Sequence, residues 1–505
     1  MQASLSNYTS ENRGRVLLLF LLFLLAIYQF VNTGFTAFAI VCLAPIVVLF
    51  IYIAFTWRMT TFWTLIFVNY FIQLKDLPLP VPMSIPNELL ELVLIAIAII
   101  DARQDPQFER AVNPMLAAIL IWTGFCVIEV FNTTCGLGIN ANAWFSAFRL
   151  MAIQLVWFLL VFSIYISSPK ILMTYLKVWA LLALFSAVWT FKQQYIGMTL
   201  AEKVWIETKG RTTHILHAGT LIRYFSTFSD AANYGCNAAA SAVAFIIFGI
   251  TNAFKKGKLF FLLIAVAVVW GMFASGTRTG IFCLIAGLIT YIFLSKSVKI
   301  AVPFTIALAL FGFMLVFTDI GNGNQQIRRM RSAFNKDDAS SNVRDINKDA
   351  IRKYINEAPW GIGLGMSPEN IPANNKYNRL AAIPPDSEYV FIWVHTGPIG
   401  VTVFAVCMVI IFLGGCRIVL FVLKNKTLIG IGAGLCGAFA AINLGGYANQ
   451  VLFQYPNGLT FFGGMAIVYI LPHLEPEWIV YEEKLLAQEN ERRRLKEEKK
   501  RASRV

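Results

Sequence analysis

Apolar runs follow one another along most of this chain, separated by short loops, and a water-soluble fold cannot bury so many of them. A helix crossing a bilayer needs roughly 20 apolar residues. Fourteen runs approach that length: Val16–Phe30, Phe35–Phe55, Thr60–Leu74, Glu88–Ile100, Pro114–Phe131, Trp144–Ile166, Ile171–Phe191, Ala231–Ile250, Leu259–Ala274, Ile281–Leu294, Ile300–Phe317, Tyr389–Cys416, Leu428–Leu444 and Leu459–Leu471. Several are short, so either polar edges extend them or one pair is re-entrant, which gives a second count of 12. Arg13 and Arg15 precede the first run with no small-x-small cleavage site, so that run is expected to be a span. Composition agrees: 57% of residues are hydrophobic and 14% charged, with a mean hydropathy of +0.64. The expected fold class is all-α, a polytopic helical membrane protein.

The charge distribution orients it. A net charge of +14 would point to nucleic acid in a soluble protein. Here the basic residues sit in short loops and the tail, where they set topology. With the N-terminus inside, the cytoplasmic loops carry Arg58, Arg103, Arg110, Lys170, Lys255, Lys256, Lys258, Lys296, Lys299, Arg417, Lys424 and Lys426. Short external loops are nearly free of Lys and Arg, Lys75 and Arg278 excepted. An even count of spans returns the C-terminus to the cytoplasm. The organisation read from this is a first helical block at 1–191, an external loop at 192–230, helices with the Arg278 turn at 231–318, a large external loop at 319–388, C-terminal helices at 389–472 and a charged cytoplasmic tail at 473–505.

Within the large loop, Asn342–Glu357 alternates apolar and charged residues at helical spacing and reads as an amphipathic helix ended by Pro359. The tail Glu482–Arg504 carries both signs densely and reads as a solvated helix with i,i+4 pairs; headgroup binding near Trp478 and Ile479 is the second reading. The eight cysteines form no framework, and only Cys135 falls in an external loop, where it should be open to solvent reagents. His214 and His217 have metal-pair spacing without a nearby acidic or Cys ligand, so no metal is expected. Glu129 and Arg149, near the external ends of adjacent spans, are expected to form a structural ion pair.

The chemistry concentrates at the external face. Ser275-Gly276-Thr277-Arg278-Thr279-Gly280 is a tight turn between two apolar runs. A guanidinium there, cradled by Gly and Thr, suits an anion such as phosphate; the bland reading is pairing with a carboxylate or a lipid headgroup. Arg223 lies just before the run that opens at Ala231. Asp386, Glu388 and Tyr389 open the run after the large loop. Two arginines with two carboxylates can serve as a phosphate clamp and a general base, while helix capping is the ordinary role of such carboxylates. His395 lies nine residues after Asp386, and packing between helices is its ordinary role.

Three segments together resemble the O-antigen ligase and polymerase superfamily of bacterial inner-membrane glycosyltransferases. Arg223 through Gly235 resembles its Arg followed by a Phe and an Asn-containing helix start. Ser275–Gly280 resembles its Ser-x-Ser/Thr-Arg-x-Gly turn. Glu357-Ala358-Pro359-Trp360-Gly361-Ile362-Gly363-Leu364-Gly365 is similar to its Pro-x-x-Gly-x-Gly segment, followed by a helix carrying Gly397-Pro398-Ile399-Gly400. The matching region runs from about residue 200 to 415. One departure stands out: the superfamily often has a His eleven residues before its Gly, where this chain has Asp386, and His395 stands where an acid is often found.

The resemblance implies a GT-C-like fold and a cofactor-free, metal-independent glycosyltransferase acting on the periplasmic face in surface polysaccharide (lipopolysaccharide or exopolysaccharide) biosynthesis. Its donor would be a glycan on undecaprenyl diphosphate, its acceptor a lipid-linked glycan (polymerase, slightly favoured) or lipid A core (ligase). Arg223, Arg278 and Thr277 would bind the diphosphate, and Asp386, Glu388 or His395 would act as base. A polysaccharide flippase or other secondary transporter is the alternative.

Overall fold

The computed structural model describes residues 13–33, 48–50, 52–76, 84–101, 107–216, 221–296, 298–323, 325–331 and 339–502. The described chain is almost wholly helical. Its main helices are α1 (Arg13–Thr33), α2 (Arg58–Phe71), α3 (Ser84–Asp101), α4 (Pro114–Phe131), α5 (Ala141–Tyr165) and α6 (Pro169–Ile196), then α7 (Ala231–Thr251), α8 (Lys255–Ala274), α9 (Thr279–Leu294) and α10 (Val298–Phe317). There follow α11 (Gln325–Arg331), α12 (Ala339–Ile355), α13 (Glu388–Val422), α14 (Lys426–Ala448) and α15 (Gly458–Glu491), the last running on as helix to Ala502. A single hairpin, β1 (Ile215–Leu216) against β2 (Leu221–Ile222), pairs Ile215 with Ile222 antiparallel.

Each expected apolar run lies on a helix, except Phe35–Phe55, most of which is outside the described residues. Among the described residues eight helices are long and apolar enough to cross a membrane, or nine if Val48–Thr56 and α2, bent by 111°, form one span. The other described runs lie on α1, α3, α9 and α10, of which α9 is 16 residues long and α3 carries a polar stripe.

Local sequence explains where these helices begin. Asn113 accepts from the amides of Met115 and Leu116, with Pro114 at the first helical position of α4. Ser168 and Pro169 repeat the arrangement at α6, and Asp230 caps α7. The centre of the bundle is α7, packed on α8, α9 and α14. Its buried Ala238, Ala239 and Ala242 and the small residues Ala433, Ala438 and Ala441 of α14 let the backbones approach closely.

The long segment between α10 and α13 is a packed unit with its own core. Ile351 and Ile355 of α12 bury against Ile362, Met366, Ile371, Tyr377, Leu380 and Val394. Cys135 joins that core, buried and donating to the Ile362 carbonyl, so the expected solvent access is not found. The expected amphipathic helix is α12, beginning three residues earlier than its charge pattern starts. In the tail Trp478 is buried and Ile479 exposed, α15 is continuous, and Arg494 and Glu498 form an i,i+4 pair.

A break in α13 docks this unit. Pro398 has no N–H to give the Val394 carbonyl, and Gly397 leaves helical geometry at φ 68°. The two freed carbonyls accept instead from the glycine-rich segment, Ile362 N to Val394 O at 3.0 Å and Gly363 N to His395 O at 3.0 Å. A methyl group at Gly397 would run into the Pro359 carbonyl. Gly397→Ala is therefore expected to lose about 1–3 kcal/mol or more, read as a lower unfolding temperature of the detergent-purified protein. An unchanged temperature would mean the break does not hold the segment.

Candidate functional site

The turn Ser275–Gly280 joins α8 to α9 and is fastened to the start of α7. Gly276 takes φ +59°, a left-handed conformation that glycine adopts without strain. Ser275 Oγ donates to Met272 O at 2.7 Å and accepts from Thr277 N at 3.1 Å. Thr277, also buried, donates its hydroxyl to Ala231 O at 2.6 Å. That leaves its oxygen free to accept from Arg223 Nη2 at 3.0 Å. Thr277 thus positions Arg223.

Arg223 is held at two further points, Nη1 donating to Thr213 O at 2.9 Å and Nε to Ser275 O at 3.4 Å. A guanidinium has five N–H donors, so these contacts fix its plane and leave two. Arg278 is half-buried at the start of α9, in the same turn. Sequence reasoning missed two more. Arg329 of α11 donates Nε to Gly276 O at 2.7 Å, and a Cβ on Gly276 would lie 3.3 Å from Arg223 and 3.4 Å from Arg329. Arg344 of α12 lies within electrostatic reach of Arg223. Burial pulls the Arg223 guanidinium below its usual range, Arg278 and Arg344 push the same way, and Asp230 opposes them. Asp230 itself is engaged as the α7 cap, accepting from Ala232 N at 2.8 Å and Asn233 N at 2.9 Å.

Lys75 adds a cation beside this group. Its Nζ donates to Ser229 O at 3.0 Å and sits 4.2 Å from the Trp205 ring centre. Burial lowers its pKa to about 8, with Asp230 opposing. His214 is neutral scaffolding: its Nε2 accepts from Ala231 N at 3.0 Å. Burial, with Arg223 nearby, lowers its pKa to about 4. His217, its expected partner, lies outside the described residues.

The three candidate bases separate in their surroundings. Asp386 is exposed and lines a cavity of about 170 Å³ with Arg344, Asp345, Asn347, Lys348 and Tyr447. Its Oδ2 accepts from Asn347 Nδ2 at 3.1 Å. Glu388 is buried and accepts from Leu452 N at 3.1 Å, tying α13 to the segment between α14 and α15. His395 is buried with Nδ1 2.8 Å from Phe391 O and Nε2 3.0 Å from Met366 O. Glu129 and Arg149 do not pair as expected. Arg149 reaches Glu88 at 2.6 Å because α3 packs on α5, and Glu129 accepts from Asn132 at 2.8 Å.

Together these features define a polytopic helical membrane protein in which a basic cluster and a carboxylate-bearing cavity share one end, joined by Arg344. Residues 261–405 match the family model described as O-Antigen ligase. The match includes Arg278, Arg329, Arg344, Asp386, Glu388 and His395 and stops short of Arg223. It supports the O-antigen ligase and polymerase superfamily and, with it, a membrane glycan transferase of the O-antigen ligase type. No curated protein matches the chain.

His214 sets a pH dependence. Its folded pKa of about 4 lies below the ordinary 6.5, so the unfolded chain binds a proton that the folded chain refuses as pH falls through that interval. Stability from this group is complete above about pH 6.5 and should fall by about 2 kcal/mol towards pH 5. Unfolding temperatures of wild type and His214→Gln at the two pH values test this; an equal loss in both would assign the effect elsewhere.

Proposed function

We propose that this protein transfers a glycan from undecaprenyl diphosphate to an acceptor hydroxyl on the periplasmic face of the bacterial inner membrane, without a metal. The observation that carries the reading is the gathering of Arg223, Arg278, Arg329 and Arg344 around one turn, next to a cavity holding an exposed carboxylate. Guanidiniums grip phosphate oxygens in a planar fork and stabilise the charge that grows on the leaving diphosphate as the glycosidic bond breaks.

The same geometry supports Asp386 as the base. It faces open space, whereas Glu388 is held by a backbone amide and both His395 nitrogens face carbonyls. The acceptor hydroxyl would sit in the cavity, give its proton to Asp386 and attack the donor sugar from that side. Asp386 in place of the superfamily's frequent His favours a polymerase, with a second lipid-linked repeat as acceptor, over transfer to lipid A core. A secondary transporter is the rival reading. It would carry its charges near the bilayer midplane on broken helices, and here they lie at one end beneath a packed unit.

Arg278→Lys keeps the charge and loses the fork, so it should lose product nearly as severely as Arg278→Ala, by about 10²-fold or more. Asp386→Asn should lose turnover while the lipid-linked donor still binds. Glycan length and lipid A transfer, read on gels from cells carrying each variant, report both. Unchanged product from Arg278→Ala at normal protein level would remove the catalytic reading and favour transport.

A further inference from the structure

A second polar cluster, unused by the proposed reaction, is buried between α3, α5 and the segment joining α14 to α15. Ser84, Asn87, Glu88 and Glu91 follow the i, i+3, i+4, i+7 spacing of one helical face, and all are buried. Glu88 Oε2 accepts from Arg149 Nη1 at 2.6 Å, and Arg149 also donates to Ser84 Oγ at 3.0 Å. Gln154 Nε2 lies 3.4 Å from Glu88 Oε1 and 3.1 Å from the Tyr455 hydroxyl. One turn along α3, Glu91 is fully buried at 0% exposure, and so is Asn87. Both carboxylate oxygens of Glu91 and both amide atoms of Asn87 lack a protein hydrogen-bond partner among the described residues.

The charges do not balance. Arg149 neutralises Glu88, the charge of Glu88 reaches Glu91, and no described cation pairs with Glu91. A lone buried carboxylate is strongly unfavourable, and an orphaned amide adds to the cost. With Glu91 ionised, two carboxylates against one guanidinium leave one negative charge, which a proton or a bound cation can cancel. A single monovalent cation cancels that charge, whereas a divalent ion would overshoot it and would call for six to eight oxygens in the case of calcium.

We propose that Glu91, Asn87 and Glu88 bind one monovalent alkali cation of the sodium class, through the Glu91 carboxylate, the Asn87 amide oxygen and the outer lone pairs of Glu88. Through Glu88, which Arg149 and Gln154 of α5 contact, and through the contact of Gln154 with Tyr455, the bound ion stiffens the packing of α3 on α5 and on the segment carrying Tyr455. That segment also supplies the Leu452 amide that holds Glu388 at the start of α13, so cation binding stiffens the end of the bundle that carries Asp386. The site stands on the α3 face alone and does not depend on the transferase reading.

The test uses the full-length protein in detergent. Its unfolding temperature should rise saturably with sodium chloride relative to choline chloride at equal ionic strength, as expected for a ligand bound only by the folded state. Glu91→Gln should abolish that difference. Radioactive sodium should bind wild type at one ion per chain, a reading that decides the matter even if the variant fails to fold. Equal temperatures in the two salts, no bound sodium, or a sodium effect retained in Glu91→Gln would each overturn the site. If Glu91 simply keeps a proton, Glu91→Gln will match wild type and neither will respond to sodium.

Discussion

Guanidiniums repel one another, and the turn between α8 and α9 brings several of them to one place. Arg223 is fixed by carbonyls and by Thr277, Arg329 reaches the Gly276 carbonyl, and Arg278 and Arg344 add their fields. Asp230, the carboxylate that opposes them at Arg223, is already engaged as a helix cap. Holding like charges together in a partly buried site is unfavourable unless an anion shares it. The packing of three helix ends on this turn supplies the rigidity that holds them there. In the proposed reaction the diphosphate supplies the anion, and its charge grows along the reaction path, where stabilisation contributes most to rate.

The second requirement is that a polar unit sit stably on an apolar bundle. The break at Gly397 and Pro398 meets it by offering the carbonyls of Val394 and His395 to the amides of Ile362 and Gly363. Through that junction α12 is set so that Arg344 faces both the arginine turn and the cavity holding Asp386. Asp386 and Glu388 lie two residues apart at a helix start and still differ in use. One faces open space and the other closes a backbone hydrogen bond with Leu452.

Much of this was legible in the sequence, because local rules carry it. Apolar runs located the helices, and the Ser-Gly-Thr-Arg turn announced itself through glycine and charge, whereas the caps Asn113, Ser168 and Asp230 emerged only from the structure. The periodicity of Asn342–Glu357 gave α12. Long-range convergence was not legible. Arg329 meets the turn across 53 residues, and its only signal was a dense run of arginines in a loop. Arg149 pairs with Glu88 and not with Glu129 because α3 packs on α5, which hydropathy does not encode. Cys135 sits in a polar stretch and is buried by a core assembled from residues more than two hundred positions away.

The central claim is that the gathered arginines bind the diphosphate, and Arg329 is its most exposed point because no sequence motif suggested it. The direct measurement is equilibrium binding of undecaprenyl diphosphate, without its glycan, to purified wild-type protein and to Arg329→Ala. Loss of one charge-assisted contact should weaken binding by about tenfold, with a shallower dependence on salt. Equal affinity in a folded Arg329→Ala protein would contradict the account.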